Sequence, residues 1–312
     1  MSGELLSFSI YVMGPVVLLL ALGKWLMQRA FISPEFVANG SSLVFNIALP
    51  ALLFLSISQA DFQQAANSEL ITLGVSATLG FFVLSLVIVQ RTFSCREDRG
   101  VIVQGCFRAN LGVIGLAFAA KTFNPADFAQ ASVYMGALIV LFNTLSVWVL
   151  SMYLPTRISA WQTLNTLSRN PIMLAILAAL LVSYFQIDMP KLVTASVGYL
   201  AQLTLPLALI CTGASIRFRD MRGQIPALAF TVVSKCILYP AIMILLGLHL
   251  NLEETELLTV LFMSAAPTAA VSFIMVKQMG GNADLAANIV ALTTVISIPT
   301  TLLGYQWVLS AT

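Results

Sequence analysis

The feature that most constrains this chain is a series of apolar runs, each close to the roughly 20 residues that a helix needs to cross a bilayer. Charged residues make up only 9% of the 312 residues, against about 25% in an average soluble domain. This composition excludes an ordinary soluble protein, and the net charge of +2 does not indicate a nucleic-acid partner. We therefore predict an all-α integral membrane protein. Its ten predicted spans are residues 7–27, 36–58, 70–90, 100–120, 129–153, 171–187, 191–214, 226–248, 256–277 and 285–309.

Basic residues between the predicted spans indicate their orientation. The segments after spans one, three, five, seven and nine hold eleven lysines and arginines when the basic ends of spans one and nine are counted, whereas the opposite loops hold only Lys121 and Lys191. Because cytoplasmic loops carry the excess of basic residues, both termini are predicted to be periplasmic, in a bacterial plasma membrane. The first run follows no basic segment, so it is predicted to be a retained span. The eleven residues are Lys24, Arg29, Arg91, Arg96, Arg99, Arg157, Arg169, Arg217, Arg219, Arg222 and Lys277.

The positions of the prolines indicate two related halves. A shift of 156 residues places Pro15 on Pro171, Pro34 on Pro190 and Pro50 on Pro206. Each half holds five predicted spans, and this odd number means that the second copy enters the membrane in the opposite orientation. We therefore predict two inverted-topology five-helix repeats, residues 1–153 and 171–312, joined by a cytoplasmic linker at 154–170.

Predicted spans four and nine are each interrupted. In span four, Arg108 and Asn110 are polar and Gly112 weakens the helix. A charged arginine in mid-membrane costs roughly 2.5–3.5 kcal/mol on the insertion scale. Span nine contains Pro267 and Thr268 at the corresponding place. Because secondary transporters build their substrate sites from such interrupted spans, we predict that the two meet at a binding site.

Two interpretations of Arg108 remain open. It is either a structural cation that pairs with carbonyl oxygens or extends to the membrane surface, or the group that attracts a substrate anion. Lys235, in span eight, is the other deeply placed cation, and a buried lysine, unlike an arginine, can lose its proton. No carboxylate lies in the middle of a predicted span, so none competes for Arg108 and none is an evident carrier of coupled protons or sodium ions.

Predicted spans two and seven each contain a proline that removes a helical hydrogen bond. Pro50 leaves the carbonyl of Asn46 without its amide partner, and Pro206 does the same to Gln202. Each proline is either a tolerated kink whose neighbouring amide bridges helices, or part of a polar notch that faces the interrupted spans.

The other polar residues do not form a catalytic or metal site. The four cysteines lack C-x-x-C spacing, and three lie in apolar runs, so we predict buried small hydrophobic residues. His249 lies beside an acidic loop and is predicted to be at the surface. No phosphate-binding loop, Ser-His-Asp set or metal-ligand cluster occurs, so neither an enzyme nor a cofactor is predicted.

Four blocks of the sequence resemble the auxin efflux carrier family, in that family's order. They are Asn46–Phe54, Phe107–Leu116, Leu205–Gly213 and Gly280–Val290. The family includes plant auxin exporters and bacterial carriers for malonate or malate, within the bile acid and auxin transporter superfamily. The resemblance implies that spans four and nine cross, and that spans one, two, six and seven form a scaffold against which the others move as an elevator. Where such proteins often carry a proline in span four, this chain has Ala117, so Gly112 and Gly115 are expected to supply the break.

Together these features predict a secondary transporter for a small organic anion, either auxin-like or a mono- or dicarboxylate such as malonate or malate. The expected partners are this anion and the lipid bilayer, with a homodimer as an open alternative to a monomer and no nucleic acid. Two other functions remain open: a sodium-coupled carrier of the bile-acid symporter type, and a membrane sensor that does not transport. The predicted substrate-binding residues are Arg108, Asn110, Gly112, Pro267, Thr268, Asn46, Pro50, Gln202 and Pro206.

Overall fold

The computed structural model describes residues 14–58, 67–154, 171–215, 221 and 223–311. The regular structure of these residues is helical, and the described part contains no strand apart from one isolated bridge, which confirms the all-α class. The helices are α1 (Gly14–Gln28), α2 (Pro34–Leu43), α3 (Leu49–Ser58), α4 (Ser68–Thr92), α5 (Arg96–Phe107), α6 (Leu116–Thr122), α7 (Pro125–Tyr153), α8 (Pro171–Tyr184), α9 (Lys191–Gln202), α10 (Thr204–Ser215), α11 (Ile225–Val233), α12 (Tyr239–His249), α13 (Glu254–Ala265), α14 (Ala270–Gln278) and α15 (Ala283–Ala311).

Helical structure lies within each predicted span. Six helical stretches are apolar and long enough to cross a membrane, and shorter apolar helices lie at 17–28, 111–122 and 174–184. The six long stretches are Pro34–Leu55, Ser68–Thr92, Pro125–Tyr153, Lys191–Ser215, Ile225–His249 and Ala283–Ala311. The count of ten spans stays a prediction, and residues 7–13 of the first span and 155–170 of the linker lie outside the described residues.

Carboxylates lie where the helices begin. Glu35, Glu69, Asp127 and Asp284 stand in the first turns of α2, α4, α7 and α15. The first amides of a helix have no intrahelical acceptor and carry partial positive charge, so acidic residues are stabilising there. Throughout the described part, carboxylates lie in first turns, at the N-cap of α13 or, for Asp188, in a loop. The prediction that they avoid the middles of spans is confirmed for these residues.

The predicted placements of cysteine and histidine are also confirmed. Cys106, Cys211 and Cys236 are buried free thiols, and Cys95 is exposed. His249 is exposed at the end of α12.

The chain forms two compact units. The first unit comprises residues within 1–68, 112–137 and 164–215. In it, α1 packs closely on α10: a Cβ built on Gly23 would lie 2.0 Å from the carbonyl oxygen of Ile210, and one on Gly213 would lie 2.0 Å from that of Leu20. Small residues of this kind let membrane helices approach through their backbones.

The second unit comprises residues within 69–111, 138–163 and 216–312, and α15 is its central helix. This helix contacts α5, α11, α13 and α14. The end of α5 is held by aromatic packing, because the Phe107 ring meets the rings of Phe82 and Phe142 edge to face at centroid distances of 5.3 and 5.7 Å. The second unit thereby contains both helix ends at which spans four and nine are interrupted.

π-Helical turns occur at Val44–Ala48, Leu111–Gly115 and Ser234–Leu238. The first and third lie just ahead of Pro50 and Pro240, which cannot donate an amide proton. The predicted loss of a helical bond upstream of Pro50 is therefore accommodated by a wider turn, in which the amide of Leu49 bonds to the carbonyl of Val44.

Candidate interrupted-helix site

The two interruptions are joined by backbone hydrogen bonds. Helix α5 ends at Phe107, and α13 ends at Ala265. Between these ends and the next helices, Asn110 N–H donates to the carbonyl of Pro267 at 2.7 Å, and Ala269 N–H donates to the carbonyl of Arg108 at 3.2 Å. These bonds flank the antiparallel bridge between residues 109 and 268. Backbone groups that leave a helix inside lipid must find other partners, and here the two interruptions supply them to each other.

Thr268 connects the interruption of span nine to the end of α5. Its hydroxyl donates to the carbonyl of Gly105 at 2.9 Å, and its amide donates to Oγ1 of Thr293 at 3.1 Å. In a continuous helix the Gly105 carbonyl would accept from Ala109 N–H, so Thr268 replaces the bond that the interruption removes. The hydroxyl proton of this predicted substrate-binding residue is therefore used within the protein.

Gly105 allows α5 to approach its neighbours at this point. A Cβ on this residue would lie 2.7 Å from Cγ2 of Thr231 and 3.0 Å from Cγ2 of Ile289. Only a glycine fits between α11 and α15 without displacing these side chains.

The expectation that Gly112 and Gly115 supply the break in span four is wrong. Helical structure resumes at Leu111, so both glycines lie in the π turn Leu111–Gly115, after the interruption. The break is Arg108–Asn110, which is held extended by its bonds to span nine. Gly112 belongs to the first unit, where a Cβ would lie 2.9 Å from Cδ2 of Leu49.

Arg108 is buried at the interruption, with 6% of its surface exposed. Its Nη1 donates to Sδ of Met275 at 2.8 Å, and its Nη2 donates to Oδ1 of Asn143 at 2.8 Å. Neither partner carries charge, and no carboxylate of the described residues pairs with the guanidinium. The guanidinium is therefore held by neutral groups inside the protein, and three of its five N–H donors have no acceptor in the described part of the chain.

Two further polar side chains close to the bridge make no hydrogen bond with the described residues. The side-chain amide of Asn110 is one of them, although the residue is only 6% exposed. The hydroxyl of Ser272, in the first turn of α14, is the other, and it is fully buried. Buried polar groups are normally satisfied, so a group without a partner indicates a place where a polar ligand could bind.

Lys235 lies at the opposite end of the span-nine interruption. It is fully buried, and its Nζ donates to the carbonyl of Ser264 at 2.5 Å. Nζ also lies 4.8 Å from the ring centroid of Tyr239, a cation–π distance for the protonated side chain.

The predicted polar notch belongs to the first unit. There α9 packs on α3, and the π turn Val44–Ala48 contacts both α9 and α10. The amide of Asn46 donates to the carbonyl and hydroxyl oxygens of Ser42 at 2.8 and 3.0 Å, within its own helix. At Pro206 the predicted irregularity is a helix end, because α9 stops at Gln202 and α10 starts at Thr204. The predicted residues therefore divide: the second unit joins Arg108, Asn110, Pro267 and Thr268, and the first holds Gly112, Asn46, Pro50, Gln202 and Pro206.

Sequence reasoning missed Asn143, Ser272 and Met275. Asn143 is an amide inside the apolar run 129–153, the same signal that identified Asn110, and a search for lone polar residues would have found it. Met275 has no polar signal. Among the described residues, no group of three histidines, cysteines or carboxylates could hold a metal ion.

A comparison with known protein families identifies the family of this chain. A family model described as membrane transport protein matches residues 8–164 and 155–305. The chain belongs to this family. Because it is the family of the auxin efflux carriers, the resemblance seen in the sequence is confirmed. Together with the apolar helices, this makes the protein a multi-pass membrane transporter.

Relatives within the membrane transport protein family are named as transporters. A Rhizobium meliloti (strain 1021) protein named "Putative malonate transporter" is 23% identical over 271 residues, covering 83% of each chain. An "Uncharacterized transporter" of Methanothermobacter thermautotrophicus is 21% identical over 287 residues, or 91% of this chain and 93% of the relative. "Uncharacterized transporter YfdV" of Escherichia coli (strain K12) is 20% identical over 300 residues, or 91% and 94% of the two chains.

Proposed function

We propose that this member of the family is a secondary carrier for a small organic anion with one or two carboxylates. The observation that carries the proposal is the buried Arg108, which keeps a full positive charge at the joined interruptions and has no carboxylate partner among the described residues. A carboxylate in mid-membrane loses its hydration, and only fixed positive charge or aimed donors can replace it.

The other groups near the bridge suit the same ligand. Asn110 offers two amide donors, and Ser272 offers a hydroxyl donor without an acceptor in the described part. Ser272 also stands in the first turn of α14, where the helix dipole favours an anion. A guanidinium can bind a carboxylate through two parallel hydrogen bonds, which fixes its orientation as well as its position.

Malonate and malate are the first substrates to test, with an auxin-like monocarboxylate next. The name of the Rhizobium relative supports malonate. We further propose that transport follows an elevator mechanism, with the first unit as scaffold, because the helices within predicted spans one, two, six and seven fall in that unit.

The proposed architecture is ten spans in two inverted repeats with both termini periplasmic. One pair of repeated prolines supports it, because Pro34 and Pro190 lie at the starts of α2 and α9. Alkaline phosphatase fused after Thr312 is expected to be active, and fused after Arg157 inactive. The opposite pattern would reverse the orientation.

The function is tested by binding and then by flux. Melting curves of the purified protein against a panel of organic acids identify a ligand, and proteoliposomes containing labelled acid measure exchange across the bilayer. We expect at least one mono- or dicarboxylate to stabilise the protein and to exchange. A ligand that binds without exchange would favour a sensor, and exchange that requires sodium would favour the bile-acid symporter type.

We also propose that the region around Pro50 lines the transport path. Replacing Pro50 with alanine restores an amide donor to the carbonyl of Asn46, so Pro50→Ala is expected to keep the parent melting temperature and to slow exchange. Normal exchange by this variant would make the proline a tolerated kink.

A further inference from the structure

Lys235 is a second buried basic residue close to the joined interruptions. Its Nζ donates to the carbonyl of Ser264, three residues ahead of Pro267. In an uninterrupted helix that carbonyl would accept from Thr268 N–H, which bonds to Thr293 instead. The lysine therefore caps the carbonyl end of α13, whose partial negative charge attracts an ammonium group. A partial charge offsets only part of the cost of burying a full one.

Among the described residues, none brings a full negative charge next to Lys235. Cys106 of α5, Cys236 of the same π turn and Tyr239 of α12 are the titratable groups next to it, and all three are neutral in their ordinary forms. Helices α13 and α15 also pack against the turn, but their carboxylates lie in their first turns. Glu256 and Asp284 are roughly 12 Å or more along the helix from Ser264 and Thr293, the residues that bond to the turn.

An anion bound at Arg108 would supply the missing charge. Cys106 stands two residues before Arg108, and Ser264 lies at the end of α13, three residues before Pro267, whose carbonyl accepts from Asn110. Lys235 therefore lies within about one helical turn of the bridge along both segments. Arginine keeps its proton when buried, whereas lysine can lose its proton and regain it when an opposite charge arrives.

We propose that Lys235 is a proton-binding site that takes up one proton from water when the organic anion binds and releases it when the anion leaves. The neutral amine takes its proton from a hydronium ion, so one N–H bond forms as one O–H bond breaks, and a water molecule is left. The inference rests on the proposed function and adds that the carrier moves a proton together with its anion. The affinity for the anion should therefore fall as the pH rises, because binding is linked to proton uptake.

Calorimetric titration with malonate tests this directly. Titrations in buffers of different ionisation enthalpy count the protons taken up for each malonate bound. We expect up to about one in the parent. Lys235→Arg keeps a charged donor to Ser264 but cannot release its proton. The number of protons taken up should therefore fall to those that malonate itself gains on binding, and the affinity should no longer follow the pH. The exposed Lys277 provides the control, because Lys277→Arg should behave as the parent.

Proteoliposomes give a second readout. An inward proton gradient should raise malonate uptake severalfold in the parent and leave uptake by Lys235→Arg unchanged. If the arginine variant does not fold, Lys235→Gln, which keeps a donor but no titratable group, is expected to show the same loss. Equal proton uptake by parent and a folded variant, or malonate binding by the parent without proton uptake, would overturn the inference alone. A parent that binds none of the acids in the panel would overturn the proposed function and the inference with it.

Discussion

The interruptions of spans four and nine both leave a helix carbonyl without its donor, but they are maintained in different ways. In both, a side chain from elsewhere in the second unit caps a carbonyl that has lost its helical donor: Thr268 bonds to Gly105, and Lys235 bonds to Ser264. In span nine, Pro267 also lacks the amide that a regular helix would use at this place. Span four has no proline at the corresponding place, and its Arg108–Asn110 segment is extended because span nine pairs with it. One interruption therefore carries a local sequence signal as well as tertiary bonds, and the other depends on its partner.

The largest loss of stability is expected at Gly105, where close packing brings the interruption of span nine near α5. Gly105→Val places two methyl groups beyond a Cβ that would already lie 2.7 Å from Thr231. We expect a loss of about 3 kcal/mol in the free energy of unfolding, the upper range for overpacking a tight core. Thermal and denaturant unfolding of the purified protein measure it. Gly80→Val is the matched control, since a Cβ on Gly80 would meet nothing within 4 Å; equal losses in the two variants would contradict the close approach.

The next variant tests the hydrogen bond from Thr268 separately from the packing at Gly105. Thr268→Val keeps the shape of the side chain and removes the hydroxyl, so the carbonyl of Gly105 loses its donor. Leaving a buried acceptor unsatisfied is expected to cost about 2 kcal/mol. Thr144→Val is the control, because Thr144 lies on the exposed side of α7 and bonds only to its own helix. Unfolding curves that show no difference between the two variants would mean that the cap does not hold the interruption of span four.

The smallest loss of stability is expected at Pro267, although this proline is the clearest sign of a helix break in the sequence. Pro267→Ala restores an amide, but the bond from Asn110 to residue 267 and the bond from the Thr268 amide to Thr293 still hold the extended segment. We expect a loss below about 1 kcal/mol, the usual scale for the effect of proline on the unfolded chain. A loss as large as that of Thr268→Val would mean that the proline itself maintains the break.

The sequence predicted what composition and local chemistry control. Apolar run lengths located the helices, and Arg108, Asn110 and Pro267 located both interruptions, because a charge or a proline inside lipid has few structural explanations. What depends on tertiary contacts was not predictable from one sequence. The role of Thr268 as a cap, the contact of Arg108 with Met275 and the shift of the break away from Gly112 each depend on residues far along the chain. Asn143 is an intermediate case, because the sequence shows a lone polar residue in an apolar run but does not show that its partner is Arg108.

The central claim is that Arg108 binds the substrate anion, and the most direct test is the malonate dissociation constant of Arg108→Gln. This variant keeps much of the bulk and some donors but removes the charge. Arg91→Gln is the control, because Arg91 is an exposed arginine at the end of α4. Titration of the three purified proteins with malonate, alongside matched melting curves, should give a dissociation constant about 10- to 150-fold higher for Arg108→Gln, or roughly 1.5–3 kcal/mol. The control should bind as the parent does. A well-folded Arg108→Gln that binds malonate as tightly as the parent would contradict the claim and leave Arg108 a structural cation.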